Sequence, residues 1–301
     1  MITKTAMITI AGRPNVGKST LTNRLVGEKI TIVSPKPQTT RRRILAVSTR
    51  GDTQFVFADT PGFHRARTKL GDYMDNAVRQ SVADVDAVAL LVEPAASVGP
   101  QEQALIEKLR ENAMPAVLVI NKADTLEDKS QLLPVMALYS EAYDFEAIVP
   151  ISAKTGEGVD ELLDVLERFA VEGPQLFPDD VVSDQPEKQI CAEIVREKLL
   201  LCLDKEIPHG TAVVVTKFSQ RGEDDEDGVI DMDVTIYCEK QSHKGIIIGK
   251  KGAMLKKIGE LSRRDIERFM GAKVFLQTWV KVKENWRDSD ALLRNFGFTD
   301  D

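Results

Sequence analysis

Cysteine is scarce in this chain, and long apolar runs are missing. Cys191, Cys202 and Cys238 form neither a C-x-x-C pair nor an even framework, so they read as small buried hydrophobes in a reducing compartment. Without an apolar run of membrane-spanning length or a leader-like start, neither a transmembrane span nor a signal peptide is expected. Peripheral attachment to a membrane stays open. What remains, 43% hydrophobic and 29% charged residues over 301 positions, fits a soluble globular protein of about two domains. The net charge of −7 is unevenly spread: between Lys240 and Arg294, fourteen Lys/Arg stand against six Asp/Glu. Such a basic stretch is the footprint of a nucleic-acid binder, although a charge run by itself is more often a solvated face.

The chain is organised around Gly12 to Ser19, which reads Gly-Arg-Pro-Asn-Val-Gly-Lys-Ser, the G-x-x-x-x-G-K-[ST] pattern of a phosphate-binding loop. Met7–Ala11 before it is β-prone, and Ser19–Leu25 after it has helical spacing. Glycines let the backbone curl until successive N–H groups face phosphate oxygens, and the helix start adds its positive end. The expected contacts run along Gly12, Arg13, Pro14, Asn15, Val16, Gly17, Lys18, Ser19 and Thr20, with Lys18 on the β/γ-phosphates and Ser19 on Mg²⁺.

From Met7 to Val171 strand-like runs alternate with amphipathic helical stretches, which predicts βαβ units and a mostly parallel sheet. Ile44–Ser48 and Gln54–Ala58 pair across a turn at Arg50–Asp52, while Val85–Val92 and Ala116–Ile120 suit a sheet covered on both faces. Glu102–Arg110, Val159–Phe169 and most of Thr125–Tyr143 read as helix. Ser34–Arg43, with two prolines and the pair Thr39/Thr40, does not. A segment placed there could close over a γ-phosphate, a threonine hydroxyl completing the Mg²⁺ shell; Arg41–Arg43 reads equally well as a solvated turn.

Three further motifs follow strands. In Asp59-Thr60-Pro61-Gly62 the carboxylate can hold Mg²⁺ through water, and the Gly62 N–H can sense the γ-phosphate. In Asn121-Lys122-Ala123-Asp124 the terminal carboxylate can accept both N1–H and the exocyclic amine of guanine, with Asn121 and Lys122 bracing the loop and stacking on the base. In Ser152-Ala153-Lys154 the Ala153 N–H can donate to O6 of the base.

This ordered set resembles the five motifs of the small GTPases of translation and ribosome assembly, and most closely the Era-like family. The Gly-Arg-Pro-Asn-Val-Gly-Lys-Ser loop, the Gln-Thr-Thr-Arg segment and Asp-Thr-Pro-Gly are all present, and the likeness covers essentially the whole chain. It implies a Ras-like α/β domain that binds GTP/GDP rather than an adenine nucleotide. It also implies Mg²⁺ on Ser19, Thr40 and Asp59, with Lys18, Thr40 and Gly62 acting in the reaction. Ras-like enzymes carry a water-orienting glutamine after Asp-x-x-Gly; here stands Phe63, which cannot hydrogen-bond. The resemblance then implies slow intrinsic hydrolysis with K⁺ as a candidate aid, Asn15 being either a K⁺ ligand or a cap of the loop. His64 reads as an exposed loop histidine.

Glycine and proline at Gly173–Asp180 mark a linker, placed at 173–186, between a first domain at 1–172 and a second at 187–301. In the second, Glu187–Leu203 reads as a helix with Ile190, Ile194, Leu199 and Leu201 among its apolar positions, followed by strands at Ala212–Phe218 and Gly228–Cys238. The acids at 223–227 between them read as a solvated tip rather than a divalent site. An apolar turn at 243–248 then leads into Gly249-Lys250-Lys251-Gly252 and the helix Ala253–Met270. The two glycines let a nucleic-acid backbone approach, with Ile248, Lys250, Lys251, Lys256 and Lys257 as contacts and Ile246, Ile247 and Ile248 lining a groove for bases.

This stretch resembles a KH domain. The order helix–strand–strand–helix–helix–strand, ending with Lys273–Val282, resembles its α+β type II form, with Arg287–Phe296 as a closing helix. Together the likenesses imply a monomeric cytoplasmic GTPase that binds 16S rRNA near its 3′ end and assists assembly of the small (30S) ribosomal subunit. Peripheral contact with the inner membrane is left open. Two rivals stand beside it: a nucleotide-switched RNA-binding module with little hydrolysis, which Phe63 keeps alive, and a membrane-associated cell-cycle regulator.

Overall fold

The structure, a computed structural model, describes residues 2–37, 39–61, 68–80, 85–221 and 228–298, with side chains described only up to 74 in the third stretch. Gly62, Phe63, His64 and the acids at 223–227 lie outside the described residues. The chain forms two compact units, one of Met1–Arg65 and Met74–Asp184, the other of Ala66–Tyr73 and Gln185–Asp301.

In the first unit, β1 (Lys4–Ala11) and α1 (Lys18–Val26) bracket the glycine loop, and β2 (Ile44–Arg50) and β3 (Thr53–Asp59) form an antiparallel hairpin. Its turn passes through Gly51 at φ 63°, a left-handed conformation that favours glycine. There follow α2 (Lys69–Gln80), whose residues 69–73 are counted with the second unit, β4 (Ala87–Val92), α3 (Pro100–Glu111), β5 (Ala116–Ile120), α4 (Leu132–Ala142), β6 (Ala147–Pro150), α5 (Val159–Leu166) and β7 (Val171–Glu172). The sheet order is β2-β3-β1-β4-β5-β6, with β7 antiparallel beside the start of β1. From β3 to β6 every neighbouring pair is parallel. All residues of β4 and β5 are buried, as continuous apolar runs require when helices cover both faces. Leu21, Leu162 and Leu166 pack on one face, Leu105, Ile106 and Tyr139 on the other. The carboxyl ends of the parallel strands share one edge, where open α/β sheets place their ligands.

Two expectations shift. The helix expected across Thr125–Tyr143 begins only at Leu132, because the Asp128 side chain accepts from Ser130 N–H (2.8 Å) and holds a short 3₁₀ turn instead. The segment expected as linker is bonded to the first unit for most of its length. Val47 N–H donates to Val182 O (2.9 Å), Gln54 Nε2 donates to Phe177 O (2.8 Å), and Gly173 N–H donates to Thr3 O (3.2 Å). Edge strand β2 has unpaired backbone groups on its outer side, and residues 182–184 cover them. The division between units therefore falls at Asp184, and 66–73 is counted with the second unit.

The second unit runs α6 (Glu187–Cys202), β8 (Thr211–Gln220), β9 (Ile230–Cys238), α7 (Gln241–Ile248), α8 (Ala253–Met270), β10 (Val274–Val282) and α9 (Asp290–Asn295). Its sheet is ordered β10-β9-β8, with β9 parallel to β10 and antiparallel to β8. Alternation on β9 sends Ile230, Met232, Val234 and Ile236 into the core beside Ile190, Ile194 and Leu199 of α6. The residues 243–248, expected as a turn, belong to helix α7. Its 3.6-residue period turns Ile247 into the core (0% exposed) and leaves Ile246 half exposed, so Ile247 does not line a groove. Leu201 is exposed for the same reason. Cys191 and Cys238 are buried, whereas Cys202 is only partly so. Among the described residues no helix is long and apolar enough to cross a membrane.

Candidate functional site

The glycine loop leaves β1 and enters α1 through three positive-φ residues, Gly12 (153°), Asn15 (66°) and Gly17 (104°). Glycine is required at two of them by packing as well. A Cβ on Gly12 would stand 2.5 Å from Leu91 O, and one on Gly17 would stand 2.2 Å from Asn121 Nδ2. Val16 is buried in the core and anchors the loop. The loop, with Pro14, Thr20, Pro35 and Lys122, lines a cavity of about 410 Å³. On its floor Lys18 Nζ donates to Gly12 O (2.9 Å) and Arg13 O (3.1 Å). Burial lowers the Lys18 pKa to about 8, with Asp59 opposing that shift.

Three oxygen-bearing side chains meet beside that lysine. Ser19 Oγ donates to Asp59 Oδ2 (3.0 Å) and lies 2.9 Å from Thr40 Oγ1, which is 3.4 Å from the same carboxylate oxygen. Burial raises the Asp59 pKa to about 6 against the opposing pull of Lys18, Ser19 and Thr40. Asp59 Oδ1 is buried without a hydrogen-bond partner. Thr60 is buried, its hydroxyl donating to Ile10 O (3.3 Å), and Pro61 is buried beside it. Thr39 also lines the cavity, its hydroxyl donating to Lys36 O (2.7 Å).

Asn121 ties three loops together: Nδ2 donates to Val16 O (2.7 Å), and Oδ1 accepts from Ala153 N–H (2.9 Å). The Ala153 N–H is therefore engaged and not free for the base oxygen expected of it. Ser152 is fully buried, with Oγ accepting from Thr155 N–H (3.1 Å), and Arg24 of α1 braces the turn by donating to Lys154 O (2.5 Å). Lys122, at φ 65°, reaches back to Asn15 O (2.9 Å), and Asp124 is exposed at the mouth. Asn15 Nδ2 donates to Pro35 O (2.8 Å), so its amide bridges two loops.

In the second unit, Gly249 (φ 73°), Lys251 (φ 49°) and Gly252 (φ 81°) make a tight turn between α7 and α8. A Cβ on Gly249 would stand 2.7 Å from Met254 Cβ, while one on Gly252 would meet nothing within 4 Å. Lys250, Lys251, Lys256 and Lys257 are all exposed around the start of α8, and Ile248 packs half-buried against the core.

Comparison with known proteins bears on both sites. A family described as 50S ribosome-binding GTPase matches residues 7–122, and the KH domain family matches 206–287. GTPase Era of Ruminiclostridium cellulolyticum is 48% identical over 98% of this chain and 97% of its own. GTPase Era of Clostridioides difficile is 46% identical over 99% of each. The chain belongs to the Era family of GTPases. Among solved structures, Era in complex with MgGDPNP and nucleotides 1506–1542 of 16S ribosomal RNA superposes at a TM-score of 0.93, with 34% identity over 99% of each chain. An Aquifex aeolicus Era variant bound to GDP and AlF₄⁻ gives the same score at 34% identity, covering 98% of this chain and 99% of its own.

The expected two-part architecture, a P-loop GTPase domain with a mostly parallel sheet followed by a KH domain, is thus the one found. For an Era-family chain the donor set at Asp59 fits Mg²⁺. It consists of hard oxygens, holds one carboxylate rather than a cage, and leaves a buried carboxylate oxygen unpartnered. Glu93, just past β4 in the space between Arg13 and Lys122, is a residue that sequence reasoning missed. One signal was available: like Asp59 and Asn121, it stands at the carboxyl end of a parallel strand.

Proposed function

We propose that this Era-family chain binds GTP and GDP with Mg²⁺ in the Gly12–Ser19 cavity, hydrolyses GTP slowly, and binds 16S rRNA near its 3′ end at Gly249–Gly252, assisting assembly of the small subunit. The Lys18–Ser19–Thr40–Asp59 group, buried except for the partly exposed Ser19, carries the reading. Lys18, which stays protonated near neutral pH, would exchange its hydrogen bonds to Gly12 O and Arg13 O for terminal phosphate oxygens. Its charge is held out of water, where it stabilises developing phosphate charge most strongly. Ser19 and Thr40 would hold Mg²⁺ through their hydroxyls, and Asp59 through its carboxylate. Bound there, the ion would supply charge neutralisation for the phosphates. The Phe63 side chain has no hydrogen-bonding atom to orient a water, so turnover rests on this electrostatic clamp and is slow.

The Era protein solved with both MgGDPNP and nucleotides 1506–1542 of 16S ribosomal RNA supports placing nucleotide and RNA on one chain. Potassium is the finer part of the reading: it should speed hydrolysis over sodium at matched ionic strength if Asn15 serves as a ligand. The protein would act as a cytoplasmic monomer, and co-flotation with lipid vesicles would overturn a purely soluble placement. The test of the whole is anisotropy binding of the chain to an RNA spanning the 3′ end of 16S rRNA, with a GTP analogue or GDP present. Binding that depends on the 3′ sequence and changes with the nucleotide is expected. Equal binding to a scrambled RNA in both states would overturn the reading.

A further inference from the structure

Glu93 joins the phosphate loop to the base loop from a third element, the end of β4, beside the direct bonds that Asn121 and Lys122 make to Val16 O and Asn15 O. One carboxylate oxygen pairs with Arg13 of the phosphate loop, the other with Lys122 of the base loop. Both cations have a second tether: Arg13 Nε lies 2.9 Å from Glu102 Oε1 of α3, and Lys122 Nζ donates to Asn15 O (2.9 Å). The result is a continuous run of Glu102, Arg13, Glu93, Lys122 and the Asn15 backbone that reaches the cavity lining at Lys122 and Asn15. We propose that Glu93 is a positioning residue for nucleotide retention, clamping the phosphate loop to the base loop. The proposal rests on the guanine-nucleotide reading above.

Geometry and solvation both favour such a clamp. Lys122 leaves the backbone in a left-handed conformation that turns its long side chain back over the phosphate loop. A free lysine there would sample many rotamers, and two acceptors confine it to one. The Glu93 side chain is 27% exposed, so its ion pairs are only partly screened by solvent. Separating the two loops would break one of the two pairs. Glu93 therefore acts on escape of the nucleotide and not on choice of the base, which belongs to the edge contacts of Asp124.

Glu93→Gln keeps the size and one acceptor oxygen but cannot pair with both cations. Stopped-flow dissociation of fluorescent GDP and GTP analogues should be faster by about 5–10-fold for both, with the association rate and guanine-over-xanthine preference unchanged. In a double-mutant cycle with Lys122→Met the effects should be less than additive, because each variant removes the same pair. Should Glu93→Gln melt early, the cycle between Arg13→Gln and Lys122→Met keeps the test, since both act through an intact Glu93; coupling supports the clamp and additivity overturns it. Wild-type dissociation rates in folded Glu93→Gln would also overturn it. A wild-type chain that fails to retain fluorescent GDP would instead overturn the nucleotide assignment itself.

Discussion

The chain carries two turns built from the same parts, glycines and lysines at the start of a helix, and uses them in opposite ways. At Gly12–Ser19 the lysine is buried, its pKa is lowered to about 8, and two glycines are held against neighbouring backbone and side chain. At Gly249–Gly252 the lysines stand in solvent, and Gly252 has open space around its Cα. On the proposed function the first is a seat for the terminal phosphates of one small molecule, its lysine held on backbone carbonyls that the phosphates would replace. The second, on the same proposal, is an open ledge for a polymer backbone. Burial makes a charge strong and selective, while exposure makes it general and sensitive to salt.

The contrast is broken most severely at Lys18. Lys18→Ala should reduce GTP turnover by about 10²–10³-fold and weaken nucleotide binding, while RNA binding by the second unit persists. Single-turnover phosphate release, paired with RNA titration, measures both, and turnover within a few-fold of wild type would end the account of the buried seat. Next in size is the base edge. Asp124→Asn should cost GTP about 2–4 kcal/mol and shift preference toward xanthosine nucleotides, because the lost acceptor faces two donors. Calorimetric titration of both nucleotides decides it.

On the open ledge the effects should be broader and milder. Replacing Lys250 and Lys251 together by Asp should weaken RNA of any sequence, since phosphate contacts position a strand and do not read it. The salt slope should fall by about 0.7 for each single-strand phosphate that a lysine no longer neutralises. Asp is well suited to the left-handed position of Lys251, so the turn should survive. Unchanged RNA affinity in the folded double variant would leave this turn a scaffold only. The smallest effects separate the two glycines of the ledge. Gly252→Ala should cost about 1 kcal/mol of stability from its backbone conformation alone. Gly249→Ala should cost about 1–2 kcal/mol more, because its Cβ would also press on Met254. Urea unfolding of the two variants gives the ordering, and a reversed order would contradict the geometry.

The sequence by itself determined the motifs and the element types that carry them. A phosphate loop demands glycine where φ is positive, and alternation on Ile230–Cys238 or helical spacing on Ala253–Met270 is a local property of the chain. Local rules also failed in understandable places. Three consecutive isoleucines look like an apolar turn, yet only packing decides that Ile247 faces the core and Ile246 solvent. Proline and glycine at 173–180 look like a free linker, yet the open edge of β2 captures the residues that follow. Only the tertiary structure could bring Asn121 to Ala153 and Val16, Asp59 to Ser19 and Thr40, or Glu93 to both Arg13 and Lys122. Each of these contacts joins residues far apart in the chain, and the stacking of parallel strands sets their distances. The same burial lowers the pKa of Lys18 and raises that of Asp59, because the cost of a charge depends on how much water the surrounding chain removes.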